Sequence, residues 1–351
     1  MKLKRKSSRV SIRTVAHAAG ISTAAASYAL KNKPEVSPET RERIVAIAQR
    51  LGYAPDPRLV SWMTRVREAS TKEFLPIAWL NAHPERDNWT KYKWFSPYRE
   101  AAQERCRQLG YRLEEIWLHQ PGMTMRRISQ IIDQQGIEGV IVTHYANHFR
   151  FNWNHLAGVS IEHATLAPQL HRVTSDFFYN FLLAIKMLRR FRYERIGICL
   201  EESLDRRTHQ SIRAMTLYRE AAYPKSKRIP LLVYGGGSKE KWPQVKKQIV
   251  AWLRHYKPEV VVGLDNRLVK CVEEAGFRVP HDMGVVHLAT DDDASDWTGI
   301  FSNKRMIGMA AVELLISLIQ NRQFGVPKAA LYTAVQGTWH TGRTLLIPKS
   351  K

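Results

Sequence analysis

From residue 75 onward, short Val/Ile-rich apolar runs alternate with longer helical patterns, and this alternation restricts the fold more than any other feature. LPIAWLN is followed by SPYREAAQERCRQLG, YRLEEIWL by MRRISQIIDQQG, and GVIVTHY closes the first series. A second series runs through FYNFLLAIKMLRRF, RIGICL, a helix over 213–222, IPLLVYGG, KWPQVKKQIVAWLRHY, EVVVGL, RLVKCVEEAG and GVVHLA. Continuous apolar strands need cover on both faces, and parallel neighbours need crossover helices that provide it. The pattern therefore predicts an α/β architecture with parallel sheets. About ten such units exceed one compact sheet, so two similar lobes are expected. Ligands of such sheets sit at the carboxyl ends of the strands, here in the cleft between lobes.

Residues 10–53 follow a different rule. Ser11 is a good N-cap for IRTVAHAA, in which Ile12, Val15, Ala16 and Ala19 recur at helical spacing. Gly20 follows, where a left-handed residue ends a helix at least cost. Ser22 caps a second helix over Thr23–Leu30, and Ser37-Pro38 opens a third that ends at Gly52. Asp56-Pro57 repeats the cap-then-proline signal ahead of RLVSWMTRVR. Two helices joined by Ala19-Gly20-Ile21 fit a helix-turn-helix, whose second helix enters the major groove of DNA.

Charge supports a polyanionic partner. The net charge is +22; residues 1–72 hold 15 Lys/Arg against 5 Asp/Glu, and the other 279 hold 39 against 27. Net positive charge per residue is thus about three times denser at the start, as for a basic module on a milder body. Cys106, Cys199 and Cys271 are far apart and odd in number, which fits core thiols rather than a disulfide framework or a metal knuckle. No apolar stretch follows MKLKRKSSRV, and MIGMAAVELLISLI is too short for a bilayer. A cytoplasmic, nucleoid-associated protein without a membrane partner is expected.

The segment VSIRTVAHAAGISTAAASYALKNKPEVSPETRERIVAIAQRLGYAPDP resembles the DNA-binding head of the LacI/GalR family of bacterial transcription regulators. The likeness runs ungapped through the V-A-x-x-A-G-I-S opening, the V-S-x-x-T-R-x-R-I helix start and the L-G-Y-x-P exit. GIEGVIV, residues 173–176, RRFRYERIGI and GFRVPHDMGVVHL extend it into the body. The resemblance implies a helix-turn-helix head over 1–55, a hinge helix and linker over 56–73, and a two-lobed periplasmic-binding-protein-like core over 74–351. The lobes are expected at about 74–172 plus 300–325, and 173–299 plus 326–347. It further implies a homodimer on a near-palindromic double-stranded DNA operator and a small-molecule effector, carbohydrate-related, in the cleft. An allosterically controlled repressor is the expected function. The chain ends at LIPKSK with no heptad tail, so a dimer is expected rather than a tetramer.

Departures from the family pattern concern the readers. The two variable base-reading positions fall on Thr23 and Ala24, Ala25-Ala26 replace a Thr-Val pair, and Tyr28 replaces an arginine. Ala24 offers only a methyl contact, whereas Thr23, Ser27 and Tyr28 keep hydroxyls. Arg13, Ser22, Lys31 and Arg58 complete the expected DNA contacts. Trp62 takes the place of the hinge leucine that wedges into the minor groove, with Met63 beside it.

For the effector, strand ends and nearby turns supply Asn81, His83, His144, Glu162, Asp265 and Asp291, with His209 and Arg213 from a helix. Trp79, Trp89, Trp94 and Trp297 are candidates for stacking on a sugar face. Chemical motifs are otherwise weak. Asp291-Asp292-Asp293 lacks the alternation of a calcium loop, Gly235-Gly236-Gly237 lacks the Lys-Ser/Thr of a phosphate loop, and neither HExxH nor GxSxG occurs. No catalytic residue, metal or cofactor is assigned. An α/β enzyme, or a sugar-binding receptor, fused to a DNA-binding head remains the alternative reading.

Overall fold

The computed structural model describes residues 11–30, 36–53, 74–91, 95–143, 146–148, 151–221, 223–225, 228–235, 241–290 and 296–347. The head contains α1 (Ile12–Ala19), α2 (Thr23–Leu30) and α3 (Pro38–Arg50). Val15, Ala19, Ala29, Val36, Ile44 and Ala48 form its small core, with Ile21, Leu30, Ile47 and Leu51 packed around it. Asp56-Pro57 and the hinge lie outside the described residues.

The core continues with β1 (Leu75–Asn81), α4 (Asn88–Lys91), α5 (Ser96–Gln108), β2 (Tyr111–Trp117) and α6 (Met125–Gln134). Then come β3 (Gly139–Thr143), β4 (Ala146–His148), β5 (Ala157–Ile161), β6 (Thr165–Ala167) and β7 (His171–Ser175). The chain proceeds through α7 (Phe177–Arg190), β8 (Ile196–Glu201), α8 (Glu202–Arg207), α9 (Ser211–Ala221) and β9 (Leu232–Tyr234). Next are α10 (Trp242–Tyr256), β10 (Val260–Gly263), α11 (Leu268–Glu274), β11 (Gly284–Thr290) and β12 (Thr298–Phe301). Last come α12 (Lys304–Gln320), β13 (Tyr332–Val335) and β14 (Thr338–His340).

Two six-stranded sheets result, ordered β13-β7-β5-β3-β1-β2 and β14-β12-β11-β10-β8-β9. All pairings in the first are parallel, and in the second only β12–β14 is antiparallel. The fold is therefore α/β, with an all-α helix-turn-helix domain followed by two lobes built on parallel sheets. Strands such as Val260–Gly263 are buried along their length, because helices cover both faces.

Lobe membership differs from the sequence expectation at three places. Strand β7, including 173–175, and strand β13 belong to the first sheet, whereas β12, including 300–301, belongs to the second. Strand β13 is drawn to β7 by two bonds at its start: Arg172 N donates to Leu331 O at 2.9 Å, and Leu331 N donates to His171 Nδ1 at 2.9 Å. After each of β7, β12 and β13, the next described element belongs to the other lobe, because α12 packs in the core of the first lobe and α7 in that of the second. Trp79, a stacking candidate, is 1% exposed inside the first lobe's core.

Candidate nucleic-acid interface and inter-lobe site

In the head, local hydrogen bonds orient α2. Ser11 Oγ accepts from Thr14 N at 3.3 Å, and Gly20 turns the chain with φ 67°, a conformation glycine adopts without a Cβ penalty. Ile21 N donates to Ala16 O at 3.0 Å. Ser22 Oγ then accepts from Ala25 N at 3.1 Å while its carbonyl accepts from Ala26 N at 2.9 Å. Ala26 and Ala29 are buried, so the small side chains let α2 lie close against the other two helices. Thr23, Ala24 and Tyr28 are exposed and Ser27 half-buried, with Arg13 exposed on α1. One face of α2 thus presents three hydroxyls and a methyl to solvent. Lys31, Arg58, Trp62 and Met63 lie outside the described residues.

The effector candidates fall at strand ends, as β-α connectivity requires, but several are already engaged. Asn81 is buried, and its Nδ2 lies 3.1 Å from Arg86 O, 3.0 Å from Asn88 Oδ1 and 2.8 Å from Glu115 Oε1. Its Oδ1 accepts from His83 N at 3.0 Å, and His83 Nδ1 accepts from Glu85 N at 3.0 Å. Glu162 has φ 52°. Its carboxylate accepts from Tyr98 OH at 2.9 Å, Thr174 Oγ1 at 2.7 Å and Ser175 Oγ at 2.9 Å, and from Ser175 N. In the second lobe, Asp265 accepts Nε and Nη2 of Arg267 at 2.8 and 2.7 Å, and Tyr234 OH at 3.1 Å. Arg213 Nε stands 2.7 Å from the buried Asp205 carboxylate. His144 and Asp291 lie outside the described residues.

Sequence reasoning missed a set of buried polar residues. Lys304 opens α12 and is 8% exposed; burial pushes its ammonium down to about 7, with Glu162 opposing the shift. His287 on β11 is pushed down to about 4 by burial and then by the Lys304 charge. Lys304 thus couples electrostatically to a carboxylate of one lobe and an imidazole of the other. Burial alone would raise the Asp265 carboxyl, but the Arg267 hydrogen bonds hold it below the usual range. At the lobe boundary, His163 lies 5.8 Å, ring to ring, from both Phe177 and His209. Arg172 donates to His163 Nδ1 at 2.9 Å. No sequence signal marks these residues, because tertiary packing alone brings them together.

Among the described residues, no group of three or more His, Cys, Asp or Glu could hold a metal ion. No helix there is long and apolar enough to cross a membrane.

Residues 11–56 match the lacI family of bacterial regulatory proteins, and residues 185–336 match the periplasmic binding protein-like domain. No curated protein sequence matches the chain. Among solved structures, the chain is similar to the transcriptional regulator CelR in complex with cellobiose. That match has 15% identity and a TM-score of 0.56, and covers 96% of this chain and 100% of that one. The lac repressor dimer bound to operator and the anti-inducer ONPF has 16% identity and a TM-score of 0.55, covering 97% and 100%. A LacI family transcriptional regulator from Enterococcus faecium with bound ribose has 17% identity and a TM-score of 0.54, covering 78% and 100%. At these identities the structural likeness establishes the shared fold.

Proposed function

The chain belongs to the LacI family of bacterial regulatory proteins, and from that premise we propose that it is a transcriptional repressor controlled by a small molecule. A homodimer places two α2 helices in successive major grooves of a near-palindromic operator. Arg13 and Lys31 neutralise phosphates, with the capped start of α2 at Ser22, while Thr23, Ala24, Ser27 and Tyr28 meet base edges. The hinge over 56–73 adds Arg58 and the wedge pair Trp62 and Met63. The observation that carries the reading is the composition of α2: its alanines are buried at Ala26 and Ala29, and its hydroxyls stand on the exposed side.

The effector binds between the lobes and is carbohydrate-related, by analogy with the cellobiose and ribose complexes of the similar regulators. Its binding changes the angle between lobes and thereby hinge pairing, a coupling of about 1–3 kcal/mol in typical systems. The protein acts in the cytoplasm on the nucleoid, and it is a binding protein rather than an enzyme. A thermal-shift screen of sugars and sugar derivatives, followed by an operator gel shift with each hit, tests this reading. A hit is expected to change operator affinity by roughly 5- to 150-fold. Turnover of a bound compound, or no retained operator at physiological salt, would refute it.

A further inference from the structure

Sugar hydroxyls are usually recognised by carboxylates and amides with lone pairs to spare. In this cleft the described candidates of that type already serve the protein's own donors. Asn81 is bound on both its oxygen and its amide nitrogen. Glu162 accepts from Tyr98, Thr174 and Ser175, and Asp265 from Arg267 and Tyr234.

Arg172 presents the opposite situation. It is 8% exposed. Its Nη1 donates to His163 Nδ1 at 2.9 Å and Tyr332 OH at 3.2 Å, and its Nη2 donates to Thr165 O at 3.2 Å. Each of these acceptors is neutral, and the buried Nε has no acceptor among the described residues. A guanidinium taken out of water without an anion is costly, and proteins ordinarily pair it with a carboxylate or phosphate. The His163 ring that accepts from Arg172 also lies 3.5 Å, at Nε2, from Tyr332 OH. His209 of the second lobe meets that ring at 5.8 Å, held by backbone with φ 53°. Arg172 of one lobe and His209 of the other therefore gather about the His163 ring where the lobes meet.

We propose that the effector carries an anionic group, a phosphate or a carboxylate, held between Arg172 of the first lobe and His209 of the second, beside the His163 ring. This rests on the ligand-controlled reading above and narrows its ligand to a phosphorylated or acidic sugar derivative. An arginine fork matches either anion with two parallel bonds. A ligand that touches both lobes favours the arrangement in which they are close. The net positive charge of residues 73–351, 39 basic against 27 acidic, steers such ligands inward.

The full chain is titrated with inorganic phosphate, glucose 6-phosphate, glucuronate and glucose at matched ionic strength, by thermal shift and calorimetry. At least one anion is expected to bind the wild type, and Arg172→Gln and His209→Gln each to weaken it tenfold or more. His209 is exposed, so H209Q remains informative should R172Q fail to fold. Preference for glucose 6-phosphate identifies a phosphate site, and preference for glucuronate a carboxylate site. Stabilisation no greater than with chloride, or equal in H209Q, overturns the proposal. An operator gel shift separates the two readings. Operator released by a neutral sugar, with no anion bound, leaves the regulator intact and removes the anion site. Anion binding through His209 without any retained operator does the reverse.

Discussion

Gly308→Ala probes how the first lobe holds its polar cluster. Gly308 lies on α12, where a Cβ would stand 2.2 Å from Tyr98 O and 3.0 Å from Tyr98 C. These are backbone atoms of α5, so no side chain can rotate to make room. Relief requires α5 and α12 to separate by roughly 1 Å, which forfeits a quarter to a half of the dispersion well for each contact across the seam. Ile307, Ala311, Val312 and Leu315 share that core with Tyr98, Ala102 and Cys106. Losing about a third of the burial of three such side chains costs about 2–3 kcal/mol. The helix-propensity gain of alanine over glycine offsets about 1 kcal/mol, so packing wins and the net loss is about 1–2 kcal/mol. If the first lobe melts as a unit, its Tm falls by about 2–8 °C. The same shift moves Tyr98 away from Glu162, now 2.9 Å from its hydroxyl, so effector affinity falls too. Differential scanning calorimetry and ligand titration of G308A measure both. An unchanged Tm with unchanged ligand affinity would refute the close-crossing argument.

Other substitutions reach the head and the second lobe. Ser22→Ala removes the cap on Ala25 N and is expected to cost about 1 kcal/mol, visible as a lower melting temperature and weaker operator binding. Thr23→Ala and Tyr28→Phe each delete an exposed hydroxyl; losses of about 1–3 kcal/mol for the preferred site, with smaller losses on unrelated DNA, are expected in competitive gel shifts. His287 introduces acid sensitivity. Its folded pKa of about 4 lies below the unfolded value near 6.5, so the unfolded chain binds more protons between those limits. Stability should therefore fall as pH drops from about 6.5 to 4, by about 3 kcal/mol from this group. His287→Asn should flatten that part of the profile in denaturant titrations at stepped pH.

The head was legible because its signals are local. Ser11, Gly20, Ser22 and Ser37-Pro38 each act within four residues of where they stand, and every one ends or begins a helix as their chemistry requires. Long apolar strands such as LPIAWLN and EVVVGL were equally plain. Strand β5, AGVSI, was not, because it is short and carries Gly158 beneath Trp153 and Leu170, where a Cβ would come within 2.7 Å. Strand β13 exposes three of its four residues and has no apolar pattern to read. At the site, Asn81, Glu162 and Asp265 could be placed at strand ends from connectivity. That Arg267 would claim Asp265, or Ser175 and Thr174 claim Glu162, depends on side-chain directions that spacing does not encode. Lys304 and Arg172 escaped notice for the same reason: each is a polar residue in an otherwise ordinary helix start or strand, made unusual by what packs over it.

Footprinting the full-length protein on DNA selected from a random pool tests the central claim most directly. Two protected half-sites related by a two-fold axis are expected, their centres about one helical turn apart. Protection should disappear as salt rises and change on addition of the effector found by thermal shift. A single unsymmetrical footprint, or protection equal on every sequence and indifferent to ligand, would contradict it.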